Sequence, residues 1–139
     1  MNTWRSNRFS GAAYRPFRDY RRAYHDRGWY RSHYGSSLIF VLGGWWYWNT
    51  GYWYPAWGYG PNSYYPYDGP IYTGYASLTP DRVAVEVQRQ LQSDGYYAGP
   101  IDGSIGPMTR QALAAFQADN GLAVTSAIDQ PTLSTLGIS

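Results

Sequence analysis

Apolar positions follow two different rhythms along the 139 residues. In the C-terminal part they recur at spacings of three and four. Ala84, Val87 and Leu91 mark one helical face, and Ala112, Leu113 and Phe116 mark another. Val83, Val85 and Val87 also alternate like a strand. Helix is the stronger reading, because Gln88 to Gln92 continues with good helix formers and Asp94-Gly95 closes the run. Thr79 can cap this first helix, Pro80 suits its first position, and Asp81 favours the positive end of its dipole. Gly106-Pro107 opens a second helix over about 107–119, which Asn120-Gly121 ends. A connector over 124–128 leads to a third helix near Asp129, whose carboxylate can cap it. Leu133 and Leu136 are its apolar positions.

Residues 37–77 follow a strand rhythm. Leu38-Ile39-Phe40-Val41-Leu42 reads as a buried strand ending at a Gly43-Gly44 break. Trp45 to Trp48 and Tyr52 to Tyr54 are aromatic runs joined by Asn49-Thr50-Gly51, which predicts a β-hairpin stabilised by cross-strand aromatic pairs. Pro55 ends the second run or marks it as an edge. From residue 56 to 75 the chain is mostly Gly, Pro, Tyr and Asn, with Ile71-Tyr72-Thr73 as one more short strand. Residues 1–36 carry almost no aliphatic side chain and are expected to form a solvated arm, or to gain order by packing their aromatics on the next region. The fold class is therefore α+β. A mainly α three-helix domain over 78–139 follows an irregular aromatic segment over 37–77, with short strands or a hairpin, and an Arg/Tyr-rich flexible arm over 1–36.

Composition sharpens this division. Aromatic residues make up 19% of the chain and charged residues only 14%. All eleven basic residues are arginine, and eight of them precede Ser32. Against Asp19 and Asp26 they give residues 1–36 a charge of +6. There is no cysteine, which excludes disulfides, thiolate metal sites and a cysteine nucleophile. No apolar segment suited to a signal peptide opens the sequence, and the run from Leu38 to Trp48 is too short for a transmembrane helix. A late export signal behind a long Arg-rich leader is the alternative for that run.

The stretch 95–117 carries the most specific pattern. Gly95-Tyr96 is followed by Pro100-Ile101-Asp102-Gly103, Ile105, Gly106-Pro107-Met108-Thr109, Phe116-Gln117 and Gly121-Leu122. Val87-Gln88 with Leu91 precedes it, and Asp129 to Leu136 follows. In this order and spacing, over about 80–137, the chain resembles the peptidoglycan-binding-like module, a small three-helix domain of bacterial cell-wall proteins. The resemblance implies peptidoglycan as partner, a cell-envelope or extracellular location, and a shallow wall-binding surface beside the loop and the second helix. On that surface Tyr97, Asp102, Thr109 and Arg110 are the ligand-binding candidates it implies. Structural roles compete with this reading: Asp102 and Gly103 make a turn, Thr109 lies in a first helical turn, and Tyr96, next to Tyr97, falls at a position that is usually core. A faint echo pairs Val87-Gln88, Gly95 and Ile101-Asp102 with Phe116-Gln117, Gly121 and Ile128-Asp129.

Catalysis has little support. His25 and His33 have no zinc-ligand spacing, and Glu86 is the single glutamate, so no metal, cofactor or catalytic residue is assigned. Three functions remain. The first is a non-catalytic envelope protein that docks on peptidoglycan through 78–139. The second is a self-assembling surface protein, a homo-oligomer associating through 37–77. The third is a binder of nucleic acid or another anionic polymer through 1–36.

Overall fold

The computed structural model describes residues 11–65 and 67–138. Two short helices, α1 (Arg15–Asp19) and α2 (Arg27–Tyr34), precede four strands. These are β1 (Ile39–Val41), β2 (Gly44–Asn49), β3 (Tyr52–Pro55) and β4 (Ile71–Tyr72). Three helices follow, α3 (Pro80–Ser93), α4 (Pro107–Asp119) and α5 (Gln130–Leu136).

The aromatic segment is more regular than a single hairpin. Its strands form one antiparallel meander in the order β1-β2-β3-β4. The hairpin between β2 and β3 pairs Tyr47 with Tyr54 and Trp48 with Trp53. Thr50 and Gly51 fill its two-residue turn, both at positive φ, the geometry whose twist matches a right-handed strand pair. Leu42 and Gly43 make an equivalent turn between β1 and β2. The break after the first strand therefore falls one residue earlier than the paired glycines suggest, and Gly44 belongs to β2. Strand β1 is not buried. It is the outer edge of the sheet, its Phe40 is 57% exposed, and Ile39 and Val41 are only half covered.

Alternation along the strands sorts the aromatics onto two faces. Ile39, Trp46, Trp48, Trp53 and Ile71 share one face, and Trp45, Tyr47, Tyr52, Tyr54 and Tyr72 share the other. Trp53 is 1% exposed and donates its indole N–H to the Leu78 carbonyl at 2.9 Å, at the threshold of α3. The Tyr72 amide donates to the Ile128 carbonyl at 2.9 Å. Trp53 and Ile71 thus belong to the same buried cluster as Val83, Leu91, Leu113 and Ile128.

The second face receives the N-terminal helices. Phe17 meets Tyr52 edge-on at 5.8 Å, and Tyr30 packs against Tyr47 at 5.7 Å. The described part of the arm therefore follows the second of the two expectations for it, order gained by packing its aromatics on the sheet, and not the solvated arm. Residues 1–10 lie outside the described residues. Three donors of the arm meet at Asp68, the Tyr20 hydroxyl and the Arg22 Nε and Nη2 at 3.0 and 2.8 Å, and the Trp57 indole joins them there at 2.9 Å. Arg22 also lies over the Trp57 ring, 4.2 Å from its centroid. The backbone comes close at Gly58, where an added Cβ would sit 2.5 Å from the His25 carbonyl oxygen. The two histidines are not isolated on an arm. Their rings stack on Trp29, at centroid distances of 3.6 Å for His25 and 4.1 Å for His33.

The C-terminal helices begin and end close to the expected positions. Asp129 caps α5 by accepting the Thr132 amide at 2.8 Å. Thr79 precedes α3 but makes no side-chain cap, and its hydroxyl donates instead to Asp81 at 2.6 Å. Among the described residues no helix is long and apolar enough to cross a membrane.

Candidate functional site

The loop between α3 and α4 is built around one side chain. Gln88 sits on the inner face of α3 and is fully buried. Its Oε1 accepts the Asp102 and Gly103 amides at 3.1 and 2.9 Å. Its two amide hydrogens are shared among the Ser104 carbonyl at 2.9 Å, Asp102 Oδ1 at 3.1 Å, Thr109 Oγ1 at 3.1 Å and the Tyr97 hydroxyl at 3.4 Å. A buried amide must find partners for both ends, and these loop groups supply them. Gly103 is needed here. Its φ is +75°, and a Cβ would lie 2.9 Å from the Asp81 carbonyl oxygen.

Gln117 repeats the device on α4. It is fully buried, accepts the Ser126 amide at 3.0 Å, and donates to Thr125 Oγ1 at 3.0 Å, the Ala127 carbonyl at 3.1 Å and Thr132 Oγ1 at 3.0 Å. Asp129 Oδ2 also faces it at 3.3 Å. The two loops match position by position. Asp102, Gly103, Ser104, Ile105 and Thr109 correspond to Thr125, Ser126, Ala127, Ile128 and Thr132. Gly103 and Ser126 both have positive φ. The internal echo is thus real in structure but shifted, because Ile105, not Ile101, is the equivalent of Ile128. Both are buried.

Three of the four candidate residues, Tyr97, Asp102 and Thr109, meet at Gln88. Tyr97 is 6% exposed and Thr109 2%, and the Tyr97 hydroxyl donates inward to the Pro100 carbonyl at 2.6 Å. Tyr96 and Tyr97 exchange the parts their positions suggested. Tyr96 is the half-exposed one, with its hydroxyl donating to Asp119 at 2.8 Å. Asp102 remains exposed. Its Oδ1 accepts the Ser104 amide at 3.0 Å, and this bond, ahead of the Gln88 contact, holds its carboxyl below the usual value. Arg110 stands apart from the Gln88 cluster. It is half-buried, its Nε has no hydrogen-bond partner among the described residues, and its charge is felt at the buried Tyr67 hydroxyl. The residue that organises the loop, Gln88, is not among the candidates that the sequence offers. Its signal in the sequence was a glutamine on an otherwise apolar helical face, repeated at Gln117.

This geometry lies inside a segment that other proteins share. Residues 82–136 match the family described as "Putative peptidoglycan binding domain". Two curated relatives, the localization factor PodJL of two strains of Caulobacter vibrioides, NA1000 / CB15N and ATCC 19089 / CIP 103742 / CB 15, are each 47% identical over 51 residues. The match covers 37% of this chain and 5% of each relative, so the chain spans a small fraction of their length. No solved structure matches it. The C-terminal part is therefore a peptidoglycan-binding-like domain, and the aromatic sheet and its helices precede it.

Proposed function

We propose that the protein is a non-catalytic component of the bacterial cell envelope that docks on peptidoglycan through its C-terminal domain. The family match over 82–136 carries this reading. The exposed surface beside the Gln88-clamped loop, with Asp102, Ser104 and the head of α4, is the proposed contact. Tyr97 and Thr109 serve it from below by fixing the loop's shape, and Arg110 borders it. A positioning role agrees with the relatives, which are named localization factors.

Co-sedimentation of the full chain with purified sacculi tests the proposal. The wild type is expected in the pellet at both low and high salt. Asp102→Asn keeps the Oδ1 acceptor and removes the exposed charge, and is expected to weaken the pelleting. Wild-type protein that stays in the supernatant at every sacculus concentration would rule the reading out.

A second reading, association of copies through 37–77, draws on the free edge of β1 and its exposed Phe40. Sedimentation velocity checks it: a Phe40→Lys-sensitive shift to larger species with concentration supports it, and a constant monomer ends it. A general polyanion partner for 1–36 has less behind it. Arg22 is tied to Asp68 and Trp57, Arg27 lies 5.0 Å over the Tyr59 ring, and Arg31 donates to the Tyr59 hydroxyl at 3.1 Å.

A further inference from the structure

An open cavity lies outside the peptidoglycan-binding-like domain. It is an open trough of about 700 Å³ between α1, α2 and the tyrosine face of the sheet. That volume is in the range of small-ligand sites. Tyr47 and Tyr54 contribute to its floor, Trp29 to one wall, and Arg15, Asp19 and Arg21 to its rim.

Two features suit this trough to a polar ligand. The more deeply buried tyrosine hydroxyls along this sheet and its loops have protein partners. Tyr20 donates to Asp68, Tyr30 to the Trp57 carbonyl, Tyr52 to the Ala13 carbonyl, Tyr65 to the Trp45 carbonyl and Tyr67 to the Pro70 carbonyl. The hydroxyls of the half-buried Tyr47 and Tyr54, like those of Tyr34 and Tyr72, make no hydrogen bond among the described residues, and those of Tyr47 and Tyr54 belong to residues that line the trough. Burial pushes the Tyr54 phenol up to about 12, so it stays a neutral O–H donor. Arg21 is the second feature. One of its nitrogens, Nη1, is held by the Arg18 and Tyr20 carbonyls at 3.0 and 2.8 Å. It has no carboxylate partner among the described residues, whereas Arg15 is matched to Asp19 at 3.3 Å. The rim therefore carries one oriented, uncompensated positive charge.

We propose that this trough is a second binding site, for an acidic carbohydrate: a sugar ring lies against the Tyr47–Tyr54 floor and its carboxylate pairs with Arg21. The C–H faces of a pyranose suit aromatic carbon, and its hydroxyls suit the free phenols and Asp19. A guanidinium takes a carboxylate through paired N–H bonds. Nucleic acid fits less well. Tyr34, Tyr47 and Tyr54 already stack on one another at 4.3 and 5.3 Å, which leaves no slot for a base between them, and a single spare cation is little for a phosphate backbone. The site is independent of wall docking by the C-terminal domain.

Tryptophan fluorescence and amide chemical-shift titrations of the full chain test it, with hexagalacturonate, neutral chitohexaose and oligo-dT as probes. Hexagalacturonate is expected to bind about tenfold more tightly than chitohexaose, with shifts at residues 15–30 and 47–54. Tyr54→Phe keeps the ring and removes only the hydroxyl, and is expected to weaken both sugars by about fivefold. Arg21→Gln should abolish the preference for the acidic sugar, and Arg89→Gln on α3 should change nothing. Absence of sugar binding at millimolar concentration would overturn the proposal. So would wild-type affinity in both groove variants, or tighter binding of oligo-dT. Because Asp102→Asn leaves the trough intact, loss of sacculus binding and loss of sugar binding are separate results.

Discussion

Gln88 and Gln117 are polar residues at the centre of an apolar core, and each is worth more to its loop than to its helix. Replacing Gln88 by Leu keeps the volume but strands the Asp102 and Gly103 amides, which lose their acceptor. Leaving buried donors unpaired costs about 1–3 kcal/mol each, so Gln88→Leu is expected to lower stability by about 3 kcal/mol in urea denaturation. A loss under about 1 kcal/mol would mean that water replaces the clamp. Asp129 makes a different prediction. Burial, the largest influence on it, raises its carboxyl above the ordinary 3.8, although Thr125 and Thr132 donate to it. The native state then holds this proton more tightly than the unfolded chain does. That contribution to stability is complete below 3.8 and is lost as pH rises through the folded value. Asp129→Ser retains an oxygen to cap α5 but does not titrate. The stability advantage of the wild type over this variant should therefore grow as pH falls from 7 to 3. An advantage that shrinks over that range would contradict the assignment.

At the scale of elements, Asp68 has an effect far from its place in the sequence. It is the common acceptor for Tyr20, Arg22 and Trp57, and so joins the N-terminal helices to the loop before β4. Asp68→Ala is expected to cost about 2–3 kcal/mol, with hydrogen bonds to a charged group as the main loss. The loss should be local: amide exchange in α2 accelerates and trypsin cuts at Arg22 or Arg27, while α3 to α5 keep their protection. Uniform acceleration across the chain would place Asp68 in the global core instead. This anchor also explains what could be read from the sequence and what could not. Helices α3 to α5 were legible because period, caps and Pro/Gly punctuation agree there. The β2–β3 hairpin was legible because Asn49-Thr50-Gly51 divides two aromatic runs. Helices α1 and α2 were not, since their burial comes from single aromatics, Phe17 and Tyr30, that meet partners 35 and 17 positions away. The local traces were Asp26, which accepts the Trp29 amide at 2.8 Å as an N-cap, and the four-residue spacing of Tyr30 and Tyr34. The trough was hidden with these helices. The sequence pointed to the α3–α4 loop, but Tyr97 and Thr109 read as surface residues because their inward partner, Gln88, lies a helix away.

Across the whole molecule, charge and packing oppose simple modularity. Residues 11–77 carry six arginines against three aspartates, and 78–138 carry three arginines against six acids, so the halves are near +3 and −3. The positive half covers the negative one with Trp53 and Ile71, which lie in the same buried cluster as Val83, Leu113 and Ile128. Tyr14 reaches the backbone at Ala123, and the Tyr72 amide binds the Ile128 carbonyl. A domain of about 60 residues has little core of its own. Burying a large side chain contributes about 1.5–3 kcal/mol, so removing Trp53 and Ile71 strips at least about 3 kcal/mol from the helical half. The full chain is accordingly expected to unfold in one cooperative transition by calorimetry. A fragment of residues 78–139 should melt about 15 °C lower, or not fold at all. Two separate transitions in the full chain, or an unchanged melting temperature in the fragment, would show that the shared cluster is not thermodynamically continuous. If the single transition is found, the aromatic half is part of the stability of the peptidoglycan-binding-like domain. Under the proposed docking on peptidoglycan, damage to the sheet, such as Trp53→Ala, would then weaken sacculus binding from outside the proposed contact surface.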